Sequence, residues 1–272
     1  MNAPASEAAR RRVFGEVQPV AVVTGSARRV GRVIAQHLAD HGYRIAVHAN
    51  RSLDEARAFA EELAGQGIEA QAFHADLTAP EQVQTLFDQI HWYFGRIDVL
   101  VNSASVFFPT PLAELSTESI QQLFQANTFS VLECGRWAGL RMIEQPTGGA
   151  IVNVGDWSVA RPTRDFSAYI ASKGALPTLT RSLAVDLAAR NPAVRVNAVL
   201  PGQVLLPEDA NDLKRQAAID ATLVKRLGEP EDVAQAVRFL VESPFITGVC
   251  LPVDGGRSIF SGEFHDASVH GE

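Results

Sequence analysis

Short apolar runs alternate with stretches in which apolar residues recur at helical spacing, from about residue 19 to residue 256. Most runs are continuous Val, Ile, Leu and Ala segments, as expected for strands covered by helices on both faces. The predicted strands are Pro19–Val23, Arg44–His48, Glu69–His74, Asp98–Asn102, Ala150–Val154, Arg195–Leu200 and Val249–Val253. The alternation predicts an α/β fold, a doubly wound seven-stranded parallel sheet with helices on both faces.

The chain reads as one domain over residues 18–258, because no repeat or linker divides it. Amphipathic helices are predicted over Arg32–Asp40, Leu53–Leu63, Pro80–Tyr93 and Glu231–Val241. The Ala- and Arg-rich residues 1–17 are expected to form an arm that is mobile or packed on a neighbour, and the polar tail 259–272 likewise. The charged stretch 203–226 follows a strand, and we expect it to be partly helical and to act as a substrate lid.

Composition narrows the class of protein. The formal net charge is −7, with 31 acidic and 24 basic residues, so the basic surface of a nucleic-acid-binding protein is missing. No apolar run approaches the ~20 residues needed to cross a bilayer, and no secretory signal pattern is present. Cys134 and Cys250 match no metal-ligand spacing and suit a reducing compartment. We expect a cytoplasmic protein with no metal site, membrane or nucleic-acid partner.

The first strand leads directly into Thr24-Gly25-Ser26-Ala27-Arg28-Arg29-Val30-Gly31, where a helix opens. A glycine-containing turn at a helix start lets backbone N–H groups approach a pyrophosphate, assisted by the helix dipole. Many strand-to-helix turns carry glycine for steric reasons alone, but this turn lies in the first strand–helix unit. We therefore predict a dinucleotide site here.

The end of the second strand indicates which dinucleotide is bound. An NAD-specific fold places a carboxylate there, whereas this chain has no acid before Asp54. Arg51, with Ser52, His48 and Arg28 nearby, would instead hold a phosphate through charge-assisted hydrogen bonds. A solvated loop arginine is the plain alternative, but the missing acid and the present base both favour NADPH.

Four landmarks together resemble the short-chain dehydrogenases/reductases over roughly residues 18–258. They are the Thr24–Gly31 turn, Asn102-Ser103-Ala104 after the fourth strand, Tyr169-x-x-x-Lys173, and Pro201-Gly202 after the sixth strand. The resemblance implies a Rossmann fold that binds NADP. The cofactor-binding residues it implies are Gly25, Arg28, Arg29, Val30, Gly31, His48, Asn50, Arg51, Ser52, Asp76, Leu77, Asn102, Ser103, Ala104, Tyr169, Lys173, Pro201 and Gly202.

Departures from the general family pattern resemble one branch, the pteridine reductases. Arg29 replaces the middle glycine of the first turn, and the usual Asn-Asn-Ala-Gly has become Asn102-Ser103-Ala104-Ser105. Asp156 stands where the family has its catalytic serine, and the run His48-x-x-Arg51-Ser52 also resembles that branch. This resemblance implies a pterin-like substrate.

Tyr169 and Lys173 are four residues apart on a predicted helix, so both project from one face. A tyrosine with a pKa near 10 is a poor proton donor or acceptor at neutral pH unless a neighbour assists it. By resemblance, Lys173 supplies that assistance and binds the nicotinamide ribose, while Asp156 and Tyr169 deliver a proton to a ring nitrogen. Asn127 matches the fourth catalytic residue of the family. Chance pairing, a helix cap at Asp156 and a buried polar Asn127 are the structural alternatives.

Substrate contacts are predicted for Phe107, Arg29 and Ser105, alongside Asp156 and Tyr169. An aromatic ring opposite the nicotinamide would stack on a flat pterin, although a core aromatic is the ordinary interpretation of such a residue. By the same resemblance, Arg29 would reach the pterin's carbonyl side, and Ser105 would bond its amino-pyrimidine edge.

Three functions are compared on this basis. The leading one is NADPH-dependent reduction of a dihydropterin or dihydrofolate to its tetrahydro form. The alternatives are a carbonyl reductase of the same family acting on 3-oxoacyl or other ketone substrates, and a non-catalytic NADPH-binding protein. The family usually forms tetramers, so a homotetramer is expected through helices spanning roughly Thr117–Met142 and Phe166–Ala189. Leu176, Leu179, Leu183 and Leu187 suggest more apolar surface than one sheet face needs.

Overall fold

The computed structural model describes residues 3–206 and 211–260, and its centre is a seven-stranded parallel sheet. The strands are β1 Val20–Val23, β2 Arg44–Ala49, β3 Ala70–His74, β4 Val99–Asn102, β5 Gly149–Val154, β6 Val194–Pro201 and β7 Cys250–Val253. Their order across the sheet is β3-β2-β1-β4-β5-β6-β7. The predicted fold class is confirmed, and each strand begins and ends within one residue of its predicted bounds.

Helices cover both faces of the sheet. They are α1 Ala3–Phe14, α2 Arg29–Asp40, α3 Leu53–Gly65, α4 Pro80–Phe94, α5 Thr117–Phe124, α6 Ser130–Met142, α7 Ser167–Gly174, α8 Leu176–Ala188, α9 Asp212–Asp220 and α10 Pro230–Glu242. A π-helical turn, Gln125–Phe129, joins α5 to α6, and a 3₁₀ turn, Trp157–Val159, follows β5. None of these helices in the described part of the chain is both long and apolar enough to cross a membrane.

Alternate residues of strands β1 to β6 enter two separate cores. On β1, Ala21 and Val23 pack with α2, α3 and α10, whereas Val20 and Val22 pack with α4, α6 and α8. The strand order reverses between β1 and β4, the position at which ligands bind in open α/β sheets, beyond the carboxyl ends of the strands. The fold therefore places the first turn beside the segment after β4.

The amino-terminal segment differs from the predicted arm, which was expected to be mobile or packed on a neighbour. Residues 3–14 form α1, and Phe14 is fully buried with its ring edge-on to Tyr43 at 6.0 Å. Arg10 also donates a 2.6 Å hydrogen bond to the carbonyl oxygen of Gly42. The Ala- and Arg-rich composition of the segment gives no sign of this docking, because a single buried aromatic at the end of the helix anchors it.

The four leucines expected to provide apolar surface for a homotetramer do not lie at the surface for that purpose. Leu176, Leu183 and Leu187 are buried in the core of this chain, and Leu179 packs against that core. They therefore provide no spare apolar surface. The exposed apolar residues on this side are instead Val185, Phe129 and Leu132.

The predicted lid contains one described helix. Helix α9 lies within residues 203–226, and residues 207–210 lie outside the described part of the chain. Most of the predicted tail, residues 261–272, lies outside it as well. Of the rest, Phe260 is buried.

Candidate active site

The turn after β1 leaves no room for side chains at its glycines. Gly25 has a φ of +66°, and a Cβ there would lie 3.0 Å from the Cα of Ala104. A Cβ on Gly31 would lie 2.5 Å from the carbonyl oxygen of Gly25. The Thr24 hydroxyl accepts backbone hydrogen bonds of 3.0 Å from both Ser103 and Ala104. Hydrogen bonds thus hold the turn against the segment after β4, and the backbone of the turn is accessible to a ligand.

Arg29 occupies a strained position in this turn. Its φ of +55° is the left-handed conformation that glycine adopts readily and other residues rarely do. Arg28 and Arg29 are exposed at the amino terminus of α2, and Arg28 lies 3.7 Å from Glu55. Val30 is half-buried against the core. The predicted anion site therefore combines a helix terminus with two cationic side chains.

His48 corrects the sequence-based assignment, because it cannot bind a phosphate. The ring is buried, Nδ1 accepts a 3.1 Å hydrogen bond from the Gly25 N–H, and Nε2 lies 3.1 Å from the Ala75 carbonyl oxygen. Burial lowers the pKa of His48 to about 4, so the ring is neutral at pH 7. His48 instead positions the glycine turn from within the fold.

Arg51 and Asn50 are exposed at the end of β2, as a phosphate-binding role requires, while Ser52 is buried. The nearby acid is Asp76, which comes from the end of β3 rather than β2. Its Oδ1 accepts hydrogen bonds from the Thr78 N–H at 2.9 Å and the Thr78 hydroxyl at 2.7 Å. These two bonds, followed by an Asn50 bond and the Arg51 charge, lower the pKa of Asp76 despite some desolvation.

The remaining predicted cofactor residues shape the floor of the site. Asn102 is buried and donates a 3.0 Å hydrogen bond to Asn153 Oδ1, which ties β4 to β5. Leu77 is buried after β3. Beyond β6, the Gly202 N–H following Pro201 bonds the Val253 carbonyl oxygen at 2.9 Å. These residues support the backbone that would surround a ligand, and the polar groups described here bond other parts of the chain.

Asp156 and Tyr169 form the centre of the site. The phenolic hydroxyl of Tyr169 donates a 2.7 Å hydrogen bond to Oδ2 of Asp156, and Oδ1 accepts 2.8 Å from the Ser158 N–H. Asp156 is therefore both a cap of the 3₁₀ turn and the partner of the tyrosine. Burial, the Asp156 charge and this hydrogen bond all raise the pKa of Tyr169. The phenol consequently holds its proton at neutral pH.

Lys173 lies one helical turn beyond Tyr169 and is buried. Its Nζ donates a 2.9 Å hydrogen bond to the carbonyl oxygen of Val154, at the end of β5. Burial lowers the pKa of Lys173 to about 8, although the Asp156 charge acts in the opposite direction. A cation thus lies within the electrostatic reach of the Asp156–Tyr169 pair.

Asn127 is fully buried in the π-helical turn, a local widening that frequently occurs at functional sites. Its Oδ1 accepts from the Ser105 hydroxyl at 3.0 Å and the Val106 N–H at 2.9 Å. Its Nδ2 donates to the Val106 carbonyl oxygen at 3.0 Å and to Ser172 at 3.1 Å. Asn127 therefore fixes the loop after β4 against the helix that carries Lys173.

Phe107 lies at the mouth of the site, with 64% of its surface exposed. Its ring stacks on Phe166 at 4.7 Å and 8°, and meets Tyr169 edge-on at 4.8 Å. Phe166 was not among the predicted substrate contacts. It lies three residues before Tyr169, a spacing that places side chains on neighbouring parts of a helix face. Ser105 is exposed nearby, and its hydroxyl is directed to Asn127.

These residues fit a nicotinamide dinucleotide. Gly25 and Gly31 let the turn pack closely against Ala104 and against its own backbone, and the turn leads directly into the start of α2. Arg51 lies exposed at the end of β2, and Lys173 lies one helical turn from Tyr169. The turn would hold a pyrophosphate, and Lys173 a ribose hydroxyl.

Comparison with curated proteins yields similar reductases of nearly the same length. Human 3-oxoacyl-[acyl-carrier-protein] reductase is 39% identical over 88% of this chain and 98% of its own. Carbonyl reductase family member 4 of Xenopus laevis is 37% identical with the same coverage, 88% and 98%.

Solved structures share the fold, and a family model matches most of the chain. An acetoin dehydrogenase from Enterobacter cloacae has a TM-score of 0.82 at 32% identity, covering 92% of this chain and 100% of its own. A putative gluconate dehydrogenase from Agrobacterium tumefaciens has a TM-score of 0.85 at 29% identity, covering 92% and 99%. The family model, described as enoyl-(acyl carrier protein) reductase, matches residues 25–258. The chain therefore belongs to the short-chain dehydrogenase/reductase family of oxidoreductases.

Proposed function

We propose that this oxidoreductase uses NADPH to reduce a pteridine, taking a dihydropterin or dihydrofolate to its tetrahydro form. The observation that carries the proposal is the 2.7 Å hydrogen bond between Tyr169 and Asp156. An ionised carboxylate only accepts hydrogen bonds, whereas a serine hydroxyl both donates and accepts. Asp156 thus suits a substrate that presents ring N–H groups, and it would repel the oxyanion that develops on a reduced ketone.

The proton comes from this chain, while NADPH supplies the hydride when bound. Tyr169 keeps its phenolic proton at neutral pH because Asp156 and burial raise its pKa, and a reduction requires a protonated acid. Donation to the substrate leaves a phenolate beside a carboxylate, so the positive charge of Lys173 is needed close by. Phe107 and Phe166 provide an aromatic wall along which a flat bicycle can lie.

The dependence on NADPH rests on Arg51. It is exposed at the end of β2, and β2 itself ends without an acidic side chain. A guanidinium there can form charge-assisted hydrogen bonds with the 2′-phosphate that distinguishes NADPH from NADH.

The second candidate is the reduction of a 3-oxoacyl or other carbonyl group, and the comparisons favour it over the pteridine. The relatives described above are named 3-oxoacyl-[acyl-carrier-protein] reductase and carbonyl reductase. The Asn127, Tyr169 and Lys173 side chains would serve such a substrate equally well. The two candidates therefore differ mainly in how they use Asp156.

One assay separates these substrates. NADPH oxidation is followed with dihydrobiopterin, dihydrofolate and acetoacetyl coenzyme A in parallel, for the wild type and for Asp156→Ser. We expect the wild type to prefer the pteridines and the serine variant to lose them and gain activity on the thioester. A wild type that turns over only the thioester would replace the first candidate with the second, and no turnover of any substrate would leave both without support.

The expected homotetramer also stays a proposal. Its support is a set of exposed apolar side chains on one side of the molecule, with Val185 69% exposed on α8 and Phe129 50% exposed before α6. Exposed apolar groups of this kind favour association between copies. Light scattering at micromolar concentration should give four times the 29.3 kDa chain mass, and a monomer mass would contradict the proposal.

A further inference from the structure

Two arginines meet beside the turn that carries Asp156. Arg161 lies just after that turn, and Arg257 lies after β7. The guanidinium carbon of Arg257 is 4.5 Å from the ring centroid of Trp157, the residue after Asp156. Nη1 of Arg161 donates to the carbonyl oxygens of Arg257, at 3.3 Å, and of Phe260. Segments almost a hundred residues apart in sequence therefore place two positive charges together.

In the described part of the chain, no ion pair with a carboxylate balances these charges. Within residues 3–206 and 211–260, neither arginine forms an ion pair with an acidic side chain. Asp254 is close, but its two oxygens accept the N–H groups of Gly256 at 2.9 Å and Ser258 at 2.8 Å. Nε of Arg257 is buried and lacks a hydrogen-bond partner in this part of the chain. An unpaired, partly buried cation is costly, and an anion placed here would offset that cost.

The electrostatics of Arg257 agree with this geometry. Burial, and then the neighbouring charge of Arg161, lower the pKa of Arg257, while Asp254 acts in the opposite direction. Arg161 thus imposes repulsion on Arg257 that the charge of Asp254 offsets only in part. A bound anion would interact favourably with both guanidinium groups at once.

Arg257 also contacts α9, the helix of the predicted lid. Nη1 of Arg257 donates a 3.2 Å hydrogen bond to the carbonyl oxygen of Ala218 in α9. The catalytic turn, the segment after β7 and the lid helix therefore converge on these arginines. A substrate whose reacting ring lies at Tyr169 can extend its other end to this position.

We propose that Arg161 and Arg257 form a subsite for an anionic group, a carboxylate or phosphate, at the end of the substrate away from its reacting atoms. Two guanidinium forks match the oxygens of such a group. The inference rests on the proposed function for the position of the reacting ring. The glutamyl carboxylates of dihydrofolate and the phosphate of a phosphopantetheine thioester are two sources of the same chemistry.

Binding of substrate fragments tests the subsite without turnover. Isothermal titration of the NADP⁺-saturated enzyme would use p-aminobenzoylglutamate and pantetheine 4′-phosphate, with neutral p-aminobenzamide and pantetheine as matched ligands. Arg161→Gln and Arg257→Gln should each weaken one anionic fragment by about tenfold or more, as expected for a lost charge-assisted hydrogen bond. The neutral ligands should bind all variants alike. The fragment that responds identifies the source of the anion.

Two further variants control for charge and folding. Arg215→Gln removes one exposed positive charge from the same lid helix and should leave fragment binding unchanged. Arg257→Lys keeps the charge but loses the fork, so its affinity should fall between those of the wild type and Arg257→Gln. Arg161→Gln leaves the Ala218 bond in place, and it tests the subsite even if Arg257→Gln unfolds. Equal affinity of wild type and both glutamine variants would overturn the proposal, as would a wild type that prefers neither anionic fragment over its neutral partner.

Turnover separates this inference from the proposed function. Dihydrobiopterin lacks the glutamyl carboxylates of dihydrofolate, so the arginine variants should raise the KM for dihydrofolate alone. If dihydrobiopterin is reduced but the fragments bind all variants equally, the subsite fails and the function stands. If no pteridine is reduced and the phosphate fragment still depends on both arginines, the pteridine assignment fails and the subsite stands.

Discussion

The phenolic hydroxyl of Tyr169 donates a 2.7 Å hydrogen bond to Oδ2 of Asp156, so the proposed acid of this site lies against a second ionisable group. Asp156→Asn removes the charge while keeping a side-chain oxygen that can cap the Ser158 N–H. We expect pteridine turnover to fall on the order of 10²-fold, as for loss of a positioned acid–base group, with NADPH affinity unchanged. Single-turnover hydride transfer measures this. An unchanged rate would make Asp156 a structural cap.

The pH dependence of the same variant provides a second readout. Burial lowers the pKa of Lys173 to about 8, and the Asp156 charge partly offsets that shift. Removing the charge should therefore lower the pKa of Lys173 further and also lower the raised pKa of Tyr169. The alkaline limb of the rate profile should move to lower pH in Asp156→Asn. An alkaline limb that stays at the wild-type pH would show that the pKa values of Lys173 and Tyr169 do not depend on Asp156.

Arg51 decides the choice of cofactor if its side chain binds the 2′-phosphate. Arg51→Ala should weaken NADPH binding by ~1.5–3 kcal/mol, the range of a charge-assisted hydrogen bond, and leave NADH binding nearly unchanged. Arg57→Ala, an exposed arginine on α3, is the matched control. Fluorescence titration with both cofactors measures the difference. Equal affinities of the wild type for NADPH and NADH would contradict the assignment.

Arg29 combines a strained backbone with an exposed cation. Its φ of +55° costs about 1 kcal/mol that glycine would avoid. Arg29→Gly and Arg29→Ala should both weaken NADPH binding, because both lose the guanidinium. Arg29→Gly should nevertheless unfold at higher denaturant concentration than Arg29→Ala. Equal stability of the two variants would indicate that the strain is absent, and unchanged cofactor binding would remove Arg29 from the site.

His48 should make the fold sensitive to mild acid. Burial lowers its pKa to about 4 from 6.5, so the unfolded chain binds the proton more readily and stability is lost as pH falls below 6.5 towards 4. His48 should account for about 2 kcal/mol of unfolding free energy lost between pH 7 and pH 5. Urea unfolding of His48→Gln should show a shallower dependence on pH. Burial also lowers the pKa of the half-buried His37 to about 4, so His37→Gln measures the separate contribution of that residue to the pH dependence. An unchanged slope in His48→Gln would contradict the buried hydrogen bonds of its ring.

The sequence by itself determined the seven-stranded sheet and indicated that the candidate site lies at the carboxyl ends of its strands. Continuous apolar runs identify strands covered on both faces, and each observed strand lies within one residue of its prediction. The parallel order then carries Thr24, Asn102 and Asp156 to one edge, because residues that follow parallel strands share that edge. Helical spacing placed Tyr169 and Lys173 on one helix face, and the family resemblance implied their roles. These properties are local or periodic, so a linear pattern contains them.

Tertiary structure alone decided which partners occupy the same space. His48 resembles a phosphate ligand in sequence, yet it bonds Gly25 and Ala75, which are distant along the chain. Phe14 turns an apparently featureless arm into a docked helix, and Arg161 meets Arg257 only because β5 and β7 end at the same edge of the sheet. The composition of the chain and the periodic spacing of its apolar residues indicate which positions are buried. They do not indicate which distant residue each buried position contacts. Those contacts depend on how separate elements pack, and packing exists only in the folded chain.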